Sequence, residues 1–285
     1  MNRALSTLYG LKWNPFSPEI PTEGCRSTPR LELFGSRIES LAQEGGFALL
    51  TGDPGTGKSV ALRLLLQRLG KLRDVTVGVF TRPQSAVPDF YRELGELFGL
   101  RLSPHNRWAG AKLLRERWRA HIDQALFRAV LFVDEAQEMR PAVLQELRLL
   151  ASADLDSRAL LTVVLAGDAR LAESFRTPEL LAVGSRLRVR LALEPLPPAE
   201  LAEVLRHVLA EAGNPGLMTP ELSSTLADHA LGNLRVLMNL AGELLDAGVQ
   251  RQAPRLDEKL FFDVFTPPPG AAGGRDVPKT RAKTR

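Results

Sequence analysis

Residues 49–69 read LLTGDPGTGKSVALRLLLQRL, a glycine-rich turn set between an apolar run and a leucine-spaced helix. The run at 47–50 is short enough for a strand, and the leucines behind the turn recur at helical intervals. Within the turn, Gly52, Asp53, Pro54, Gly55, Thr56, Gly57, Lys58 and Ser59 match G-x-x-x-x-G-K-[ST], and Val60 continues into the helix. Glycines let several backbone N–H groups converge on one point, and a helix N-terminus adds favourable potential for an anion. Lys58 is placed to reach β- and γ-phosphates, and the Ser59 hydroxyl to join a Mg²⁺ shell. The stretch predicts ATP and Mg²⁺ held where a strand gives way to a helix.

A second apolar run, AVLFVDEAQEM at 129–139, ends in adjacent carboxylates. Open α/β sheets carry their ligand chemistry at the C-terminal ends of the strands. Asp134 is therefore expected to hold Mg²⁺ and Glu135 to polarise an attacking water. The second acid favours hydrolysis over a small-molecule kinase, which needs only the metal-holding Asp, and weakens a non-hydrolysing nucleotide switch. The four histidines have no metal-ligand spacing, and Cys25, the single cysteine, excludes an internal disulfide.

Further apolar or alternating runs lie at 75–80, 160–166 and 187–193, with helical patterns between them at 90–98, 111–127, 142–150 and 171–175. Strands alternating with helices predict an α/β fold with a parallel sheet covered on both faces. After the proline-rich EPLPPAE at 194–200 only helical patterns follow, at 199–212, 220–230, 234–247 and 256–264. The organisation expected is an N-terminal segment (1–45), a nucleotide-binding core (46–194), a small helical domain (195–265), and a linker with a basic tail (266–285).

With 44% apolar residues in 285 there is ample material for a core. No apolar run approaches the ~18 residues that span a bilayer, and the N-terminus lacks a signal-peptide pattern, so a cytoplasmic location is expected. The formal charge of +4 comes from the last eleven residues; Lys+Arg and Asp+Glu are equal in number before them. A local anionic partner for the tail is the reading this permits.

With these motifs in order, the chain resembles an AAA+ ATPase over roughly residues 9–264. The resemblance implies a three-layer αβα core with a five-stranded parallel sheet and a small C-terminal helical lid. It also implies roles. Asp168, in LAGDARL at 165–171, stands where the family senses the γ-phosphate, although Asn, Thr or Gln is more usual there and a carboxylate repels phosphate unless protonated or turned to a water or an arginine. Arg186 precedes a strand in which Arg188 and Arg190 alternate with aliphatics, and it matches an arginine finger acting on the next subunit's ATP. Arg235, in LGNLRVLMNLAGEL at 231–244, matches a second sensor that closes the lid on the phosphates. The opening YGLKWNPF at 9–16 resembles a signature that packs near adenine; simple core packing of Trp13 and Phe16 explains it equally well.

Two branches share this set. ExeA-type secretion ATPases have the same opening, phosphate loop, DEAQ and GN-x-R elements, and continue into a membrane span and a peptidoglycan-binding region. Transposon target selectors, the MuB, TniB and TnsC group, stop after the lid, as this chain does. In target selectors the segment after the second strand contacts DNA, and Arg82, Gln84 and Ser85 are the matching positions, of a kind suited to phosphate contacts that carry little sequence information. The expectation is an ATPase that assembles on duplex DNA, regulates a transposase and hydrolyses ATP between subunits, with a secretion or cell-envelope assembly ATPase acting on a protein partner as the alternative.

Overall fold

The computed structural model describes residues 3–103, 106–154 and 157–265. The linker and basic tail expected at 266–285 lie outside the described residues. In chain order the elements are α1 (Arg3–Tyr9), α2 (Pro29–Glu44), β1 (Gly46–Gly52), α3 (Lys58–Gly70), β2 (Val77–Phe80), α4 (Val87–Leu97), α5 (Arg107–Ala125), β3 (Ala129–Val133), α6 (Pro141–Ala151), β4 (Ser152–Ala153) and β5 (Arg158–Ala159). They continue with β6 (Leu161–Gly167), α7 (Ala169–Ser174), α8 (Leu181–Gly184), β7 (Leu187–Leu193), α9 (Pro198–Ala212), α10 (Pro220–His229), α11 (Leu234–Gln250) and α12 (Glu258–Phe265).

Five strands form one parallel sheet in the order β2-β3-β6-β1-β7, while β4 and β5 make a separate two-residue antiparallel pair. Every residue of β3 and β6 is buried, as expected for parallel strands covered on both faces. Period two divides their side chains. Leu131, Val133, Val163 and Leu165 face a core shared with Phe90, Trp118 and Leu147 of α4, α5 and α6. Val130, Phe132, Val164 and Ala166 face the opposite core, with Ile38 of α2 and Leu65 of α3. The expected αβα layers follow. On the edge strand β7, Val189 and Leu191 are buried and Arg188 and Arg190 exposed, so the alternation read from the sequence holds. Among the described residues no helix is long and apolar enough to cross a membrane.

The N-terminal segment does not behave as one unit. Leu5, Tyr9, Leu11 and Phe16 are buried in the core of the helical domain, among Leu205, Leu209, Leu237 and Leu244. Backbone and side-chain bonds tie the two together: the Lys12 N–H donates to the Ala212 carbonyl at 2.8 Å, and Asn214 Nδ2 to the Tyr9 carbonyl at 2.9 Å. Residues 29–44 belong to the sheet domain instead, as α2. Its start is written in the sequence: Thr28 caps the helix by accepting from Leu31 N, Pro29 opens it, and Leu31, Phe34, Ile38 and Leu41 make a buried stripe.

Because Leu11 is only 1% exposed, Leu11→Ala is expected to cost about 2–5 kcal/mol, as core truncations do. Hydrogen exchange should locate the loss: amides of α9 and α11 open faster while those of β3 and β6 keep their protection. Unchanged exchange in α9 and α11 would show that the N-terminal segment does not support the lid.

Candidate functional site

The phosphate loop leaves β1 at Gly52 and enters α3 at Lys58. Gly55 (φ +88°) and Gly57 (φ +98°) both adopt left-handed backbone. At Gly55 the requirement for glycine is double, since a Cβ there would also lie 2.1 Å from Asn233 Oδ1. Lys58 is buried to 7% exposure and donates its ammonium to the carbonyls of Gly52 (2.8 Å) and Asp53 (3.2 Å). Thr56 is also buried, its hydroxyl on the Asp53 carbonyl at 2.8 Å, which braces the loop from within. No side chain caps the N-terminus of α3. The loop therefore ends on an open helix N-terminus beside a lysine, the arrangement that suits a polyphosphate.

The acids at the end of β3 lie across from this helix. Ser59 Oγ donates to Asp134 Oδ2 at 2.9 Å, and Asp134 Oδ1 accepts from the Glu135 N–H at 2.9 Å. One hydroxyl and one carboxylate side by side fit Mg²⁺, which takes one or two carboxylates and fills its shell with phosphate and water. Among the described residues no group of three or more His, Cys, Asp or Glu forms an all-protein metal cage. Glu135 is exposed, with left-handed backbone (φ +51°, ψ +39°), and Gln137 Nε2 donates to its carboxylate.

The structure turns Asp168 toward an arginine. Its carboxylate caps α7, accepting from Arg170 N at 2.9 Å, and takes a second bond from Arg170 Nε at 2.9 Å. The hydrogen bond from the Arg170 side chain holds the Asp168 carboxyl below its usual range, and Lys58 adds a weaker pull in the same direction. The expected objection to a carboxylate in this place is met by a neighbour two residues away.

The helical domain reaches the loop directly. Asn233 caps α11 by accepting from the N–H groups of Arg235 (3.0 Å) and Val236 (3.2 Å). Its amide then donates to the Pro54 carbonyl at 3.0 Å, and the Arg235 N–H donates to the Gly55 carbonyl at 3.3 Å. In a planar trans peptide C=O and N–H point opposite ways, so holding the Pro54 carbonyl toward α11 turns the Gly55 N–H away from it. Arg235 itself is exposed in the first turn of α11. Sequence reasoning singled out Arg235 and missed the contact made by Asn233; the signal available was Asn at a helix start, which by itself says only that it caps.

Arg186 lies just before β7, half-buried, with its guanidinium on the Ala182 carbonyl. Arg82 and Gln84 are exposed between β2 and α4, and the half-buried Ser85 closes a turn through its N–H on the Arg82 carbonyl at 3.0 Å. These residues lie in segments separate from the loop, the acids and the lid contact. Near the lid, Phe16 is buried and Trp13 half-buried against the same core, so packing accounts for both.

A parallel sheet of this order, a phosphate loop after β1, paired acids after β3 and a helical lid on the loop make up the AAA+ P-loop ATPase fold. Residues 41–175 match the family described as AAA domain. The chain is 36% identical over 239 residues to General secretion pathway protein A of Aeromonas hydrophila, a match covering 81% of this chain and 42% of that protein. The chain thus spans less than half the length of this curated relative. Its structure is similar to Cdc6p from Pyrobaculum aerophilum, with a TM-score of 0.67 at 16% identity, covering 85% of this chain and 67% of that one. It is also similar to the Aeropyrum pernix Orc1 protein in complex with DNA, with a TM-score of 0.65 at 21% identity, covering 88% and 67%. At such identities the structural likeness speaks for the fold alone. The comparisons favour the secretion-type branch and lend no support to the target-selector branch.

Asn233→Asp separates capping from contact with the loop, because Asp caps as well as Asn but sets an oxygen against the Pro54 carbonyl. Stability is expected to change by less than about 1 kcal/mol, while hydrogen exchange at the Gly55 and Gly57 amides accelerates. Exchange unchanged at those amides would mean that the lid does not hold the loop.

Proposed function

We propose that the chain is the ATPase module of a secretion or cell-envelope assembly system, using ATP turnover to act on a protein partner. The observation that carries this reading is the 36% identity to General secretion pathway protein A across 81% of the chain. The expectation of a transposition target selector and a transposase partner gives way to it. The DNA in the Orc1 complex belongs to a relative of fold, at 21% identity, and is not carried over.

Each residue takes the following part. Residues Gly52, Asp53, Pro54, Gly55, Thr56, Gly57, Lys58, Ser59 and Val60 form the phosphate cradle. Lys58 supplies positive charge at its centre. Ser59 and Asp134 hold Mg²⁺. Bound MgATP supplies an activated phosphoryl group, and Glu135 takes the proton of the water that attacks it. Arg235, exposed at the lid's first turn, swings onto the phosphates when the lid closes. The Asp168–Arg170 pair reads the terminal phosphate without presenting a bare negative charge. Arg186 completes the site of a neighbouring copy, so hydrolysis depends on self-assembly.

Glu135→Gln is expected to preserve ATP binding and cut turnover by about 10²-fold or more. Arg186→Ala should be equally inactive alone, and mixing the two variants should recover turnover, measured as phosphate release. Two inactive variants that stay inactive together would remove the shared site. The choice of partner is tested with duplex DNA at low salt, where unchanged turnover and assembly are expected; ATP-dependent, salt-sensitive DNA binding would restore the target-selector reading. In cells that make the protein, the Glu135→Gln allele should block protein export, and normal export would sink the proposal.

A further inference from the structure

Gln137 lies in the short 3-10 turn Ala136–Glu138 that follows the paired acids, and its amide is used at both ends. Nε2 donates to the Glu135 carboxylate, and Oε1 accepts the N–H of Asp168 at 3.3 Å. A side-chain amide carries a donor and an acceptor on one planar group, so it can join a carboxylate to a backbone N–H; an ionised Glu in its place has no donor. Gly167 leaves room for it, since a Cβ there would sit 2.5 Å from Gln137 Oε1. The next residue, Glu138, meets Arg170 at 3.2 Å, and Arg170 holds the Asp168 carboxylate at 2.8 Å. The turn after β3 is thus tied twice to the loop after β6, its neighbour in the sheet.

Glu135 needs such a tie. Its left-handed backbone is uncommon for a residue with a side chain, and the carboxylate is exposed. An exposed glutamate without a partner samples several rotamers, whereas proton abstraction requires one. We infer that Gln137 is a positioning residue for hydrolysis: it sets the Glu135 carboxylate from the loop after β6, so that a change at Asp168 is passed to the group that takes the water's proton. This rests on the assignment of Glu135 as the base. A purely structural role for Gln137, holding the two loops together, predicts a loss of stability and no selective effect on the chemical step.

The experiment measures kcat, KM, ATP affinity and thermal stability for the wild type and four variants. Gln137→Ala is expected to lower kcat about tenfold or more, with ATP affinity unchanged, since misplacing a catalytic group by an ångström costs up to about 10²-fold. Gln137→Glu keeps the acceptor for the Asp168 N–H but faces carboxylate with carboxylate, and should fall as far. In a Glu135→Gln background, Gln137→Ala should lower the residual turnover no further. Normal kcat in folded Gln137→Ala and Gln137→Glu, or a full additional loss in the Glu135→Gln background, overturns the inference. An active wild type, a Glu135→Gln slowed by about 10²-fold and normal Gln137 variants overturn it alone; a wild type that releases no phosphate, or a Glu135→Gln that turns over normally, overturns the assignment of Glu135 together with it.

Discussion

Two hydrogen bonds from the first turn of α11, one from the Asn233 side chain to Pro54 and one from the Arg235 backbone to Gly55, hold the phosphate loop from outside the sheet domain. They constrain the peptides on which the rest of the site depends, because the direction of each carbonyl fixes that of the N–H across the same bond. A hydrogen bond of this kind contributes only about 1 kcal/mol net. Burying one large apolar side chain contributes about 1.5–3 kcal/mol, and the lid core contains many of them, from Leu201 to Phe261. The lid is therefore a firm body joined to the loop by a weak contact. Loop and lid can part without either unfolding, which suits a lid that responds to nucleotide.

The other side of the site is built differently. Asp134 and Glu135 stand at the end of a strand buried on both faces; Gln137 joins Glu135 to Asp168 after β6, and Arg170 joins that segment to Glu138. Here the connections are polar and charge-assisted, between two adjacent strands that the sheet holds in register. The two halves have different mechanical character. The cradle side is met by the lid, and the acid side by the segment that follows the neighbouring strand.

Much of this was legible in the sequence. Burial on both faces made β3 and β6 continuous apolar runs, and one-sided burial made β7 alternate, so these strands could be read from their neighbours' chemistry. The phosphate loop was readable because its glycines, lysine and serine are all required by one ligand. The start of α2 is equally open, in Thr28-Pro29 and a stripe of Leu31, Phe34, Ile38 and Leu41, although the expected organisation set residues 1–45 apart from the core. The placement of Tyr9, Leu11 and Phe16 in the lid was not readable, because an apolar residue states that it is buried and not against what. Gln137 and Arg170 escaped for a related reason: they act through partners about 30 residues or more away or through a local cap, and neither leaves a spacing pattern.

The fold and the loop define an ATPase, and the sequence likeness to a secretion pathway protein directs the proposal for its use. The claim beneath both is that this site hydrolyses ATP with Lys58 at its centre. Phosphate release by the purified chain in MgATP, compared with that of Lys58→Ala, tests it most directly. The account predicts Mg²⁺-dependent release by the native chain and none above background in a folded Lys58→Ala protein. Equal release by the two, or none by the native chain in any state of assembly, would contradict it.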